Sequence, residues 1–86
     1  MLKIIIHPRA KKELLKIPKS IRLKIVERID ELEKLNHPLQ HPRVKKLRGR
    51  KIEEFRLRVR DYRIKFILAG PQTIKIIHIQ HRQIGY

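Results

Sequence analysis

The sequence predicts an α+β fold in which two N-terminal helices pack on one face of a small, antiparallel-dominated sheet of four to five strands. Apolar residues recur at helical spacings of three and four in the first half of the chain, and they alternate with polar residues in the second half. Short turn-forming segments separate the late strands, so neighbouring strands are expected to pair antiparallel. The predicted element order is βααββββ, and residues 1–86 are taken as one domain because a chain of 86 residues has room for one small core.

The first half of the chain contains one strand and both helices. The β-branched run at 2–6 predicts a buried strand. Residues 9–16 fit a short amphipathic helix, which Pro18 stops because its ring cannot continue a helix. A longer helix is predicted from there to Asn36, and the proline-containing segment 36–43 is predicted as a loop. The apolar face of this helix comprises Ile21, Ile25, Val26, Ile29, Leu32 and Leu35.

In the second half of the chain, apolar and polar residues alternate with a period of two, as in β-strands. A short strand followed by a basic turn at Gly49 is predicted in "RVKKLRG", residues 43–49, and three further strands are predicted at 54–60, 62–68 and 73–80. The segment "AGPQ", residues 69–72, is predicted as the turn between the last two strands, since Gly and Pro favour turns. The late strands are therefore expected to form consecutive hairpins.

Composition restricts the function. The chain has 23 Lys and Arg against 8 Asp and Glu, a net charge of +15, which indicates a polyanionic partner, with nucleic acid as the first candidate. The absence of cysteine excludes disulfides, thiolate zinc sites and cysteine nucleophiles. No apolar run is long enough to cross a membrane and no signal peptide is recognisable, so a cytoplasmic protein is expected.

One hairpin concentrates positive charge. The segment "FRLRVRDYRIKF" alternates basic and apolar residues, so its basic side chains are expected to share one sheet face if the turn has an even number of residues. Like charges paired across strands destabilise a sheet, and a bound anion would relieve them. The alternative is an ordinary solvated face of an antiparallel sheet. The basic residues of this hairpin are Arg56, Arg58, Arg60, Arg63 and Lys65.

The stretches "VKKLRG", "LRVRDYRI" and "HRQIGY" together resemble the RelE/ParE toxin superfamily of toxin–antitoxin systems. The resemblance covers nearly the whole chain and implies a small antiparallel-dominated sheet with two packed helices. It also implies one of two activities, because RelE-like members cut mRNA in the ribosomal A site, whereas ParE-like members inhibit DNA gyrase. The full set of matching basic residues favours the RelE-like branch.

The resemblance implies which residues act. RelE-like members use basic side chains on two central strands, an Arg at the end of the last strand and often a C-terminal Tyr. Arg stands at positions 56 and 58, where well-known members have Lys, so the general base and acid are left open. The catalytic residues implied are Arg58, Arg63, Arg82 and Tyr86. The RNA-binding residues implied are Lys45, Lys46, Arg48, Arg56, Arg60, Lys65 and His81.

The expected chemistry is metal-free cleavage by attack of the substrate's 2′-OH on the adjacent phosphate. Arginines suit phosphate binding and charge stabilisation, and Tyr86 or His81 could move a proton. No cofactor or metal is expected. The resemblance further implies a RelB-like antitoxin, a toxin–antitoxin hetero-oligomer, and the ribosome and mRNA as targets, with no membrane partner. A gyrase inhibitor and a non-catalytic RNA-binding module remain the alternatives.

Overall fold

A computed structural model describes residues 1–47 and 53–82. Its order of one strand, two helices and four strands confirms the predicted α+β class. A turn of 3-10 helix, Pro38–Gln40, precedes the second strand. The elements are β1 (Lys3–Ile6), α1 (Pro8–Leu15), α2 (Lys19–Glu33), β2 (Val44–Leu47), β3 (Glu54–Val59), β4 (Tyr62–Gly70) and β5 (Thr73–His81).

The start of α1 follows from local chemistry. Pro8 occupies the first helical turn, where its fixed φ angle is favourable and its missing N–H costs no hydrogen bond. The His7 side chain caps the helix, since its Nδ1 atom accepts a hydrogen bond from the Arg9 backbone N–H at 3.0 Å. The helix therefore begins one residue before its predicted start.

The segment after α2 is more ordered than the predicted loop. The helix ends at Glu33, short of the predicted Asn36. The Gln40 side-chain oxygen then accepts hydrogen bonds from the backbone N–H groups of Asn36 at 2.9 Å and His37 at 3.1 Å. These bonds satisfy backbone N–H groups that lie beyond the end of α2. The chain can therefore turn sharply through Pro38–Gln40 towards β2.

The five strands form one sheet in the order β1-β5-β4-β3-β2. β1 is parallel to β5, and the other three neighbouring pairs are antiparallel. The predicted antiparallel-dominated sheet is confirmed, and its one parallel pair arises because the two helices connect β1 to the rest of the chain. Within the described residues, neither helix is long and apolar enough to cross a bilayer.

The turn between β4 and β5 is shorter than predicted. Ala69 and Gly70 belong to β4, and Gly70 pairs with Thr73, so only Pro71 and Gln72 connect the two strands. The prediction of a four-residue turn was wrong because it rested on local composition. Pairing of Gly70 with Thr73 continues β4 past Ala69, which is an extra residue between Leu68 and Gly70, although both residue types are uncommon in strands.

A bulge in β5 changes which side chains face the helices. Lys65 pairs with His78, but the next residue of β4 pairs with Ile76, so Ile77 is an extra residue in β5. An extra residue reverses the alternation of faces. Accordingly Ile76 is buried before the bulge and Ile79 is buried after it. Beyond the bulge, Ile79 faces the core, whereas Gln80 pairs with Arg63 and shares its face, opposite the helices.

The core lies between the two helices and one face of the sheet. Phe55 and Phe66, both fully buried, stack with ring centroids 5.5 Å apart across β3 and β4. Stacked aromatic rings anchor these two strands to the helices. The basic residues of the same strands therefore project on the opposite face. The buried apolar residues of the helices and the central strands include Ala10, Leu14, Ile25, Ile29, Leu32, Phe55, Leu57, Val59, Ile64 and Phe66.

The β3–β4 turn contains a strained residue. Arg60 and Asp61 form a two-residue connection, and Arg60 has a φ angle of 53°. A side chain in this left-handed region costs about 1–2 kcal/mol relative to Gly, and the greater freedom of Gly in the unfolded chain offsets about 0.5–1 kcal/mol. Arg60→Gly is therefore expected to raise the free energy of unfolding by roughly 0.5–1 kcal/mol. Urea unfolding measures this shift. A lower urea midpoint for the variant than for the wild type would contradict the claim that Arg60 is strained.

Candidate nucleic-acid interface

β3 and β4 place basic side chains on the sheet face opposite the helices. Arg58 pairs directly with Arg63, and Arg56 pairs with Lys65, as the two-residue turn requires. On the other side of β3, Lys45 of β2 pairs with Arg56. Directly paired residues share a face. The registry predicted for this hairpin is therefore observed, with Lys45 added from the neighbouring strand.

Arg63 lies at the centre of this face. Its side chain is half-buried, and its Nε atom is buried. Burial, followed by the positive charges of Arg56, Arg58 and Arg82, lowers the pKa of Arg63 below the ordinary arginine value. An arginine nevertheless stays protonated at neutral pH. The positive charges of Arg56, Arg58 and Arg82 thus all act on Arg63, and we call these four residues the arginine cluster.

Arg82 joins the arginine cluster from the end of β5. Its backbone N–H donates to the Asp61 carbonyl at 2.7 Å, and its Nε atom lies 3.6 Å from Asp61 Oδ1. These contacts hold the end of β5 against the β3–β4 turn. Gln80 pairs with Arg63 and shares its face, and Arg82 follows two residues later in the extended chain, so Arg82 lies on the same face as Arg63.

Repulsion within the arginine cluster should be measurable. Arg58 is exposed and lies directly opposite Arg63, so Arg58→Gln is expected to raise Tm by a few degrees at low salt. The gain should largely vanish in about 1 M salt, where the Debye length is about 3 Å. Thermal unfolding followed by circular dichroism at both salt concentrations checks this. Lys11→Gln, an exposed charge on α1, is the control, and an equal gain in the control would assign the effect to net charge alone.

The sequence did not single out Arg43. This residue lines a cleft of about 120 Å³ together with Pro42, Lys45, Arg56 and Arg58. Its carbonyl accepts a hydrogen bond from the Arg58 backbone N–H at 3.2 Å, which extends the β2–β3 pairing by one residue. The available signal was its spacing of two residues from Lys45, which places both on one side of an extended chain.

Three of the predicted RNA-binding residues lie away from the arginine cluster. Lys46 pairs with Phe55, and its Nζ atom lies 3.8 Å from Glu53 Oε1. Arg60, in the β3–β4 turn, lies beside α2 and lines a different cleft. His81 is described below. Arg48 and Tyr86 fall outside the described residues, so their predicted roles stay predictions.

His81 faces the helices. It pairs with Tyr62, and the two rings meet edge to face with centroids 5.3 Å apart. Both residues line a shallow pocket with Ile17, at the turn between α1 and α2. The bulge in β5 causes this placement, since it puts position 81 on the face opposite Arg82. His81 is therefore adjacent to Arg82 in sequence but on the other side of the sheet.

A buried histidine fixes the backbone next to the arginine cluster. His41 is 5% exposed, and its Nδ1 atom accepts a hydrogen bond from the Arg43 N–H at 3.1 Å. With Nδ1 as the acceptor, Nε2 carries the proton and donates to Glu31 Oε1 at 3.0 Å. Glu31 also pairs with Arg28. A hydrogen-bonded chain thus runs from α2 through His41 to the segment that carries Arg43.

The same chain predicts a pH effect. The hydrogen bond from His41, opposed by partial burial and aided by Arg28, lowers the pKa of Glu31 below its ordinary value. A lowered carboxylate pKa stabilises the fold above the unfolded-state pKa, and this stability is lost as the pH falls below about 4.3. His41→Gln is expected to raise the pKa of Glu31 towards the ordinary value. An NMR titration of the Glu31 carboxyl carbon tests this, with Glu33 as internal control, and an unchanged Glu31 pKa in the variant would contradict it.

Comparison with known proteins places the chain in a family. The sequence pattern of the family described as "ParE toxin of type II toxin-antitoxin system, parDE" matches residues 4–86. No curated protein sequence matches the chain. Because the family match extends over nearly all of the sequence, the chain belongs to the ParE toxin family of type II toxin–antitoxin systems. The RelE/ParE superfamily predicted from the sequence is thereby confirmed.

Solved structures show the same fold. The archaeal RelE–RelB complex from Pyrococcus horikoshii OT3 contains a chain 29% identical to this one, with a TM-score of 0.77 and coverage of 96% of this chain and 97% of that chain. The RelB–RelE antitoxin–toxin complex from Methanococcus jannaschii gives 28% identity, a TM-score of 0.77, and coverage of 92% and 91%. The intact Escherichia coli RelBE complex, at 18% identity with a TM-score of 0.75 and coverage of 94% and 96%, shares the fold.

Proposed function

We propose that this chain is the toxin of a toxin–antitoxin pair and that it cleaves mRNA in the ribosomal A site. The observation that carries the proposal is the arginine cluster on the sheet face opposite the helices. Several guanidiniums at close range destabilise the free protein, and a phosphodiester group offers the negative charge that offsets this cost. The similarity to RelE chains supports RNA as the source of that phosphate.

The proposed reaction needs no group beyond the protein and its substrate. The 2′-oxygen of the ribose loses its proton and attacks the adjacent phosphorus, and the bond to the 5′-oxygen breaks. The products are a 2′,3′-cyclic phosphate and a 5′-OH, which receives a proton. Charge therefore develops on the phosphate oxygens in the transition state, and donors that are already in position there lower the barrier.

The described residues suit binding and charge stabilisation better than proton transfer. Arg63 is held between neighbouring strands and half-buried, so its guanidinium needs little reorganisation. Arg82 is tethered to the β3–β4 turn, and Arg58 is exposed beside Arg63. These three are proposed to grip the scissile phosphate. A guanidinium does not readily act as a base, so Tyr86 is proposed to take part in proton transfer.

The proposed partners follow from charge and from the relatives. A net charge of +15 favours an acidic antitoxin segment as well as RNA. The structures from Pyrococcus horikoshii and Methanococcus jannaschii are complexes of RelE with RelB. A RelB-like antitoxin, bound in a hetero-oligomer, is therefore proposed for this chain, and the ribosome and mRNA are its proposed targets.

A second candidate function has a specific observation in its favour. The matching family is named for ParE, and ParE-like members of the superfamily that the sequence resembles inhibit DNA gyrase. A gyrase inhibitor would leave mRNA intact and would trap broken DNA. A basic protein that only binds RNA is a third possibility, and it would damage neither target.

Two assays on the wild-type protein separate these functions. Primer extension on ribosome-bound mRNA should reveal new 5′ ends inside the A-site codon, whereas a supercoiling assay with purified gyrase should show no inhibition and no trapped breaks. Ribosomes programmed with the same message but given no toxin provide the background. Trapped DNA breaks without new mRNA ends would replace the proposal by gyrase inhibition, and the absence of both would leave only RNA binding.

A further inference from the structure

A second basic cleft lies away from the arginine cluster, where α2 approaches the β3–β4 turn. Its volume is about 260 Å³, and all but one of its lining residues are cationic. We call it the α2 cleft. It is lined by Lys24, Arg28, Arg43, Val59 and Arg60. Val59 is the one apolar residue of the lining, so cationic side chains dominate the α2 cleft.

The positive charge of the α2 cleft is only partly neutralised. Arg28 pairs with Glu31 and lies 3.7 Å from Glu27, and Lys24 Nζ lies 4.0 Å from the same Glu27 carboxylate. The side chains of Arg43 and Arg60 form no ion pair with an acidic residue in the described part of the chain, 1–47 and 53–82. The cleft therefore keeps a net positive charge, and these two guanidiniums are available to an anion.

Arg43 connects the α2 cleft to the arginine cluster. It lines both the α2 cleft and the smaller cleft formed with Arg56 and Arg58. Its backbone is held on both sides, because its N–H donates to His41 Nδ1 at 3.1 Å and its carbonyl accepts from the Arg58 N–H at 3.2 Å. The basic surface thus continues around the β2 edge of the sheet, and Arg43 lies at the corner.

The backbone of Arg60 is an independent observation that points to a binding function for the α2 cleft. It lines the α2 cleft and occupies the left-handed backbone region, with a φ angle of 53°, where Gly would be less strained. Local strain of this kind is found preferentially at binding sites, where the side chain has a use that offsets it. A guanidinium at the tip of this turn extends the charge of the hairpin towards α2.

We propose that the α2 cleft binds a second stretch of RNA phosphodiester backbone, next to the stretch held by the arginine cluster; the inference deepens the proposed function and rests on it. Arginine favours phosphate because its planar fork donates two parallel hydrogen bonds to phosphate oxygens. An acidic protein segment is the weaker match, since interfaces between proteins normally have an apolar centre and the α2 cleft has only Val59. The strand would pass Arg43 between the two clefts.

The test measures how RNA affinity depends on salt. A 2′-O-methyl RNA of roughly 12 nucleotides, long enough to occupy both clefts, resists cleavage and reports binding by fluorescence anisotropy. Each lost contact to a single strand reduces the slope of log K against log salt by about 0.7. K24Q/R43Q should therefore reduce the slope by about 1.4. K11Q/K34Q, which removes two exposed charges elsewhere, should keep the wild-type slope, and K24Q/R60Q repeats the test should K24Q/R43Q fail to fold.

The outcomes separate this inference from the proposed function, because A-site cleavage by the wild-type protein is measured in parallel. New mRNA ends together with a wild-type slope in the folded cleft variant would overturn RNA binding by the α2 cleft and leave the proposed nuclease activity standing. A reduced slope without new mRNA ends would support RNA binding by the α2 cleft and overturn the proposed nuclease activity. A wild-type slope combined with weaker binding of polyglutamate would assign the cleft to an acidic protein segment and overturn the inference.

Discussion

Replacing Arg82 by alanine is expected to slow the proposed A-site cleavage of mRNA by about 10²–10³-fold, the usual loss when one preorganised donor to a developing anion is removed. Arg82 lies in the arginine cluster, and its backbone is fixed by the 2.7 Å hydrogen bond to the Asp61 carbonyl. Its side chain is 47% exposed, so the substitution should leave the fold intact. Quantitative primer extension on programmed ribosomes measures the rate, and thermal unfolding verifies the fold.

Two further variants distinguish phosphate binding from a structural role. Arg82→Lys keeps the charge but loses the planar fork, so it should recover only part of the rate. Asp61→Asn removes the ion pair with Arg82 but keeps the backbone hydrogen bond, and it should leave the rate within a few-fold of wild type. If Asp61→Asn slowed cleavage as much as Arg82→Ala, the ion pair rather than the phosphate contact would explain the role of Arg82.

The largest effect on stability is expected from Phe66→Ala, which should lower the free energy of unfolding by about 3–5 kcal/mol. Phe66 is fully buried and stacks on Phe55 at 5.5 Å, so its removal leaves a cavity in the middle of the core. The free energy of unfolding of a small domain is only about 5–15 kcal/mol in total. Because the ring anchors the strand that carries Arg63, the variant should also lose activity in proportion to its unfolded fraction. Urea unfolding measures the change.

An exposed apolar residue is the matched control. Leu23 on α2 is 57% exposed, so Leu23→Ala removes a side chain of comparable hydrophobicity from the surface. Its effect should stay within about 0.5 kcal/mol. A loss below 1 kcal/mol for Phe66→Ala, or equal losses for both variants, would mean that the aromatic stack does not anchor the sheet.

Local patterns accounted for the elements and for the faces of the central hairpin. The spacing of Ile25, Ile29 and Leu32 predicted the buried side of α2, and all three are buried. Alternation in the hairpin predicted that Arg58 and Arg63 would share a face, and they pair directly. Side-chain direction repeats every two residues along an extended chain, so it is readable wherever neighbouring strands pair without interruption.

Pairing between strands that are distant in sequence decided which side chains of β5 face the helices. The extra residue at Ile77 separates Arg82 from His81, sending one to the arginine cluster and the other to Tyr62. No local pattern marks this bulge, because it arises from how β5 fits both β4 and the helices above it. The extension of β4 through Ala69 likewise depends on distant pairing, that of Gly70 with Thr73.

The amino-acid order alone established a small, strongly basic α+β protein of the RelE/ParE superfamily, with a hairpin that carries its cations on one side. The folded chain added the location of that charge relative to the helices, and with it the positions of Arg43 and the α2 cleft. The residues that line the cleft come from α2, from the position just before β2, and from the end of β3 and the β3–β4 turn. Such a convergence depends on the packing of distant segments, whereas charge, periodicity and turn chemistry are properties of neighbouring residues.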